Sequence, residues 1–368
     1  MTERGIRCCY HGWHYDVSGK LLETRCEPAA SNLKHSVCQG AYPAFERNGL
    51  VFAYMGPPEE KPEFPEYDVY SEPADTRLIP YSNIYPCNWL QVFENIMDQM
   101  HTAVLHNNMT VEGIEPEAMA VMTLPAFTEM PVMHWEATRE GNGVLFCAAR
   151  RVGDDKVWVR ITVMACPNYI QIPAVVSGPG PRKWNSPPSM TRWHVPVDDM
   201  HMIIFGWRHF NDETDPDHAG DESKCGYDSI DFLDGQTANR TYEEGQRAPG
   251  DHEALTSQGP IAVHALEHPA GSDRGVRLCR RLLRNVLAGT TPPPPSDCAG
   301  TGRYLHTQDV MVRVKCDGSQ TEEQLLIQAN RDALAGTKKV NSLPKAERQA
   351  FIDCRFEAGS RRETAMPA

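Results

Sequence analysis

Between about residue 122 and residue 210 the chain returns repeatedly to short runs of apolar, β-branched and aromatic residues: VMHWEATRE, GVLFCAARR, VWVRITVMAC, YIQIPAV, TRWHVPV and MHMIIFGWRHF. Two clear turn signals fall among them, Gly141-Asn142-Gly143 and Gly153-Asp154-Asp155. Runs of this length, broken by glycine-rich turns, predict an antiparallel sheet of about six strands.

Helical signals lie on both sides of that region, which makes the expected fold class α+β. In NWLQVFENIMDQMHTAVLHNNM, Trp89, Val92, Phe93, Ile96 and Met100 recur at helical spacing, predicting a helix over roughly 88–106. SDRGVRLCRRLLRNVLAG (272–289) predicts another, with Ser272 as N-cap, a Val276/Cys279/Leu283/Val286 stripe and Gly289 as the stop. TEEQLLIQANRDALAG (321–336) predicts a third, after the chain-breaking TPPPPSD. Residues 211–250 are polar, acidic and Gly-rich, as in a long surface excursion. Near the N-terminus, AYPAFERNGLVFAYMG (41–56) predicts two short strands about Asn48-Gly49 and so a small β module. PPEEKPEFPEY (57–67) follows with four prolines and no apolar period, a linker composition.

Composition removes several function classes. The 368 residues carry 36 basic against 49 acidic side chains, a net charge of −13, with no long basic block. Neutralising phosphates is therefore not what this surface does, and neither nucleic acid nor an anionic membrane is expected as partner. No apolar run approaches the roughly 18 residues of a membrane span, and no signal stretch opens the chain. The twelve cysteines are scattered rather than Cys-dense. Reduced thiols in the cytoplasm, most of them acting as small buried hydrophobes, are the expectation.

Two short motifs carry chemistry. GIRCCYHGWHY (5–15) places Cys8 and His11 with two residues between them, half of the four ligands that a Cys/His metal site needs. Asp98-Gln-Met-His101-Thr-Ala-Val-Leu-His106 is a D-x-x-H-x(4)-H pattern. On a helix Asp98 and His101 would be neighbours on one face. His106 would lie roughly 140° further round, so the two imidazoles share an ion only if the helix widens or ends between them. Spacing alone leaves open whether they are ligands or ordinary helix histidines.

Taken together, C-x-x-H-G-W-x-Y and D-x-x-H-x(4)-H resemble the Rieske non-haem iron oxygenases, large (α) subunit. GLVFAYMG, ENIMDQMH, FGWRHFN (205–211) and SQGPIAVHALEH (257–268) extend the likeness over nearly the whole chain, toward the phthalate and phenoxybenzoate dioxygenase-like branch. The resemblance implies part of a Rieske 2Fe-2S domain at 1–60. It implies a mononuclear iron catalytic domain at 61–368, with an antiparallel sheet flanked by helices in a helix-grip, START-like manner. It implies Cys8 and His11 as one pair of cluster ligands, one to each iron. The partner C-x-H-R-G is not found, and the only C-x-H, Cys9-Tyr10-His11, reuses the same histidine. The expectation is that the chain begins inside the Rieske domain and, as written, cannot assemble the cluster.

For the mononuclear Fe(II), the resemblance implies His101, His106 and a carboxylate from GDHEALTSQGPI (250–261), with Asp251 first and Glu253 as fallback. The residues themselves allow a second reading, Asp251 as a helix cap. Asp98 is implied as an electron-transfer bridge, holding His101 and reaching the Rieske histidine of a neighbouring subunit. The implied activity is that of an oxygenase component, a mono- or dioxygenase acting on an aromatic acid or aryl ether by ring hydroxylation or O-demethylation. The implied assembly is a homotrimer served by a separate NADH-dependent reductase, since no G-x-G-x-x-G follows a strand here. The competing readings are an inactive fragment, a cluster-only electron carrier and a zinc hydrolase using the same triad. His264 and His268, four apart on an expected helix, have a spacing that could bind zinc; His201 and His209 flank a strand, in a structural role or with one of them lining the substrate cavity, and arginines 150, 151, 160 and 208 could pair a carboxylate, though strand arginines are expected to be solvated.

Overall fold

A computed structural model of the chain describes residues 2–64, 75–106, 129–138, 143–173, 185–231 except 213, 216, 217 and 219, 240–290 except 248, 307–341 except 316 and 317, and 343, 344, 347, 350 and 351. The chain divides into two units, Met1–Phe64 and Pro65–Ala368.

In the first unit β1 (Ile6–Arg7), β2 (His14–Tyr15) and β3 (Leu21–Glu23) form a three-stranded sheet, followed by α1 (Leu33–Ser36). β4 (Ala44–Arg47) and β5 (Leu50–Ala53) make the expected hairpin. Its two-residue turn needs positive φ at both central positions, which Asn48 (47°) and Gly49 (77°) supply. Phe45, Phe52 and Phe64 pack their rings together beneath it, with centroids 4.7–5.4 Å apart.

The second unit is built on a nine-stranded antiparallel sheet. In chain order its elements are β6 (Arg77–Tyr85), α2 (Trp89–Asn95), β7 (Val132–Ala137), β8 (Gly143–Val152), β9 (Lys156–Ala165), β10 (Tyr169–Pro173), β11 (Asn185–Ser186), β12 (Pro188–Pro196), β13 (Met202–Phe210), α3 (Tyr242–Arg247), α4 (Asp251–Thr256), α5 (Arg274–Leu287), β14 (Gln308–Arg313) and α6 (Glu322–Asn341). β7, β8 and β9 run side by side, and the far edge of β9 is shared by β14 and β10; from β10 the sheet continues through β12 and β13 to β6. The six runs read from sequence are β7, β8, β9, β10, β12 and β13.

Burial explains why β8 and β9 read as continuous apolar runs: both faces are covered. Leu145, Cys147, Ala149, Val157, Val159 and Ile161 face α6, meeting Leu325, Leu326, Ala329 and Ala333. Their neighbours Val144, Phe146 and Met164 face the other way, onto Phe93, Ile96 and Met97 after β6 and onto Cys279 and Leu282 of α5. This second face carries the candidate site. Among the described residues no helix is long and apolar enough to cross a membrane.

Three local expectations are corrected. The helix expected over 88–106 ends at Asn95, and a single 3-10 turn, His101–Ala103, follows. The Asn88 side chain caps the start, accepting from the Leu90 N–H at 3.0 Å. Beyond Asn95 side chains compete for the backbone: Asp98 Oδ1 accepts from Met100 N–H (2.7 Å), and Thr102 Oγ1 donates to the Gln99 carbonyl (2.7 Å). α5 starts after Asp273 rather than after Ser272, and the Asp273 carboxylate accepts from the Ala270 N–H. His264 lies on a 3-10 turn that ends at Leu266, so His268 is not on a helix with it. The Gly141-Asn142 turn and Asn107-Asn108 lie outside the described residues.

Candidate metal centre

The early end of α2 turns His101 and His106 toward one point. His101 sits on the 3-10 turn, His106 follows it, and their rings approach to 5.1 Å between centroids at 70°. The third side chain arrives from α4, 145 positions further along the chain than His106 (251 − 106). Gly250 is the N-cap of α4 and Asp251 its first residue, so the reading of Asp251 as a cap does not hold.

Asp251 Oδ1 lies 3.1 Å from His106 Nε2 and 3.6 Å from His101 Nε2. All three ligand atoms fall within 4.8 Å of one another, and this is the one such His/Cys/Asp/Glu group among the described residues. The spacing fits a small divalent ion. With metal–ligand bonds of about 2.1 Å, adjacent donors around one ion lie roughly 3 Å apart. The three side chains are only 10–18% exposed. The chemistry of the donors, two imidazoles and a carboxylate, suits non-haem Fe(II).

Asp98 stands behind His101. Its Oδ2 is 3.5 Å from His101 Nδ1, the nitrogen facing away from Asp251. Burial pushes the His101 pKa down, but Asp98 and Asp251 outweigh it and the net shift is upward. Glu253, the alternative ligand, is committed elsewhere. It accepts from the Gly250 N–H at 2.8 Å and pairs with Arg240 at 2.6 Å. Burial alone would raise its pKa; His252, Arg240 and the Gly250 N–H together hold it at about 2. Glu253 therefore fixes the start of the helix that presents Asp251.

Several supporting residues have no sequence motif. Gln91 of α2 donates to the carbonyls of Leu255 and Gly259 and accepts from Ala262 N–H (2.9 Å), tying the histidine segment to the aspartate helix. Arg150 of β8, fully buried, donates to Thr102 Oγ1 (2.6 Å) and the Gln99 carbonyl (3.2 Å), clamping the turn that carries His101. Trp135 Nε1 donates to the Met97 carbonyl at 3.1 Å. Their one signal in sequence is a charge inside an apolar strand, as in CAARR.

The other singled-out residues fall apart from the triad. Cys8 and His11 lie in the loop between β1 and β2, where Cys8 N–H donates to the Trp13 carbonyl and Gly12 N–H to the Cys8 carbonyl, with Gly12 at φ 71°. His209 is buried between the Pro188 carbonyl and Thr191, and His201 is exposed beside Asp198. Arginines 150, 160 and 208 are not solvated: each is 6% exposed or less.

Among known proteins, a family model described as "LigXa C-terminal domain like" matches residues 53–224. The chain is 52% identical over 360 residues to the tert-butanol monooxygenase / tert-amyl alcohol desaturase oxygenase subunit of Aquincola tertiaricarbonis, covering 96% of this chain and 76% of that one. It is 34% identical to the phenoxybenzoate dioxygenase subunit alpha of Ectopseudomonas oleovorans, covering 86% and 73%. A solved structure of dicamba monooxygenase bound to dicamba is similar at 17% identity and TM-score 0.48, covering 77% and 80%.

Proposed function

Since the chain belongs to the Rieske non-haem iron oxygenases, as an α subunit of that family, we propose that His101, His106 and Asp251 hold the mononuclear Fe(II) of an oxygenase component. The observation that carries this reading is the convergence of three donors from two distant segments within 4.8 Å. When bound, the ion would supply O2 activation, the chemistry that a donor set of two imidazoles and a carboxylate suits.

The chain's own residues orient that centre. Asp98 holds His101 by the nitrogen turned away from the ion and thereby sets its tautomer. Gln91 and Arg150 keep the two segments in register, and Glu253 anchors the helix of Asp251. Cys8 and His11 are one pair of ligands to the 2Fe-2S cluster, within a Rieske module at residues 1–60; the 368 residues contain no second pair of the family's C-x-H-R-G form. Asp98 is the electron-transfer bridge to a cluster histidine. The relatives are oxygenase components of multi-component systems, and the partner we assign is a separate NADH-dependent reductase, with the α chains as a homotrimer. The substrate is a small organic molecule, an aromatic acid or aryl ether; the names of the phenoxybenzoate, phthalate and 3-chlorobenzoate relatives support that class.

Iron content after anaerobic Fe(II) loading and desalting tests the triad. About one mononuclear iron per chain is expected, lost in His106→Ala and Asp251→Ala and kept in Glu253→Gln. Equal iron in all four proteins would contradict the assignment.

A further inference from the structure

α5 carries five arginines, and one of them has carboxylates to answer it. Arg280 donates to both oxygens of Glu94 and both of Glu267, at 2.5–2.9 Å. Arg274, Arg277, Arg281 and Arg284 are exposed and, among the described residues, make no ion pair and no side-chain hydrogen bond. At about 100° per residue these four fall within an arc of about 80°. That arc lies opposite the buried Gly275, Cys279 and Leu282. The result is a row of four unanswered cations about 15 Å long, on a chain of net charge −13. Like charges three and four residues apart repel, so the row works against the helix that bears it. Arg284 alone lies in the last turn, where a cation suits the helix dipole.

The other side of the helix rests on the segment that leads into the metal centre. Cys279 and Leu282 pack with Phe93, Ile96 and Met97, and a Cβ on Gly275 would stand 3.0 Å from the Met97 carbonyl. Met97 precedes Asp98, whose side chain is 42% exposed. The arginine row therefore lies about one helix diameter, roughly 10 Å, from the backbone that carries the assigned electron-transfer bridge. At the C-terminal end of the row Leu287 is 87% exposed and Val286 37%.

Charge selects the occupant of this face. A stable contact between copies of one chain is large, and its centre is depleted of charged side chains; this row is charged along its whole length. Four cations neutralise too few phosphates to hold a nucleic acid against a net charge of −13. A redox partner, by contrast, arrives and leaves repeatedly, and such encounters are small and steered by opposite charge. We propose that Arg274, Arg277, Arg281 and Arg284 form the docking face for an acidic one-electron donor protein, the electron-supplying partner of this component. The proposal rests on the oxygenase reading above and gives that partner its surface on this chain. Opposite charge brings the donor in, and Leu287 adds an apolar contact at one end of the row.

The test is an anaerobic calorimetric titration of the Fe(II)-loaded full chain with a plant-type 2Fe-2S ferredoxin, an acidic one-electron carrier. The chain as a whole repels an acidic protein, so binding needs a local basic surface. Wild type is expected to bind ferredoxin, with an affinity that falls steeply as salt is raised, and to bind a DNA duplex more weakly. Arg281→Glu should weaken ferredoxin about tenfold. Arg331→Glu, exposed on α6, makes the same change in net charge and should leave the affinity within about twofold. Both variants should keep the iron content and oligomeric state of wild type. Equal ferredoxin affinity in the two variants, no binding by wild type, or tighter binding of the duplex overturns the docking face alone. An Arg281→Glu chain that leaves the wild-type oligomer shows a contact between copies and overturns it as well. A wild-type chain that takes up no iron overturns the oxygenase reading, and this assignment with it, whatever the ferredoxin result.

Discussion

At Asp98 the two carboxylate oxygens have separate tasks. Oδ1 accepts from the Met100 N–H and shapes the turn, while Oδ2 faces His101 Nδ1. Burial would raise its pKa, yet His101 and the backbone N–H groups hold it below the usual carboxylate range. Asp98→Asn keeps the shape but loses the charge behind the imidazole. It is expected to weaken Fe(II) binding by about tenfold or more, measured by competition with a chelator; unchanged affinity would reduce Asp98 to a turn residue. At this scale the sequence was informative where chemistry demands a particular residue type at a particular spacing. Spacing singled out His101 and His106 without deciding between ligands and ordinary helix histidines, the family resemblance added Asp251, and the three side chains converge. The buried arginines were not legible, because a strand arginine is solvated or enclosed according to what packs across the sheet, and nothing within CAARR or TRWHVP states that.

The short elements around the centre depend on close packing. Gly275, in the first turn of α5, lies where a Cβ would stand 2.3 Å from Trp135 Nε1 and 3.0 Å from the Met97 carbonyl, the two atoms of one hydrogen bond. In an open helix Gly→Ala stabilises by about 1 kcal/mol. Here Gly275→Ala is expected to destabilise by about 1–3 kcal/mol through overpacking, read by chemical denaturation, and a stabilised variant would show the contact to be loose. Element boundaries were the least legible feature. The apolar period through Met100 argued for one long helix. The side-chain bonds of Asp98 and Thr102 to the backbone end it early, and that ending brings the rings of two histidines five apart to 5.1 Å between centroids. The β4–β5 hairpin was read correctly because Asn-Gly encodes its turn locally.

Across the whole second unit, the interior of the sheet is unusually charged for a buried surface. Asp309 of β14, 2% exposed, is pushed up to about 6 by burial, which Arg160, Arg150 and Trp158 only partly offset. A carboxyl raised from its ordinary 3.8 holds its proton more tightly in the folded state. Its contribution is therefore complete below about pH 4 and is lost as the pH climbs through about 6. Asp309→Asn does not titrate, so its stability relative to wild type should rise across that window in denaturation series at several pH values; a constant difference would contradict the assignment. The sheet itself was legible where strands are apolar on both faces. β6 and β14 were not anticipated. β6 carries Pro80 and several polar residues and can do so because, among the described residues, β13 is its one strand neighbour, its other edge bonding to the loop residues Gly226 and Ser229 through Ser82. β14 is six residues long and has no period to separate it from its surroundings.

The claim on which the rest depends is that one ion joins the turn after α2 to the first residue of α4. Diffraction from crystals of the Fe(II)-loaded chain, collected on both sides of the iron absorption edge, tests it most directly. A single anomalous peak within about 2.3 Å of His101 Nε2, His106 Nε2 and an Asp251 carboxylate oxygen is the expected result. A peak bonded to Glu253 in place of Asp251, or no peak between the two histidines, would contradict it.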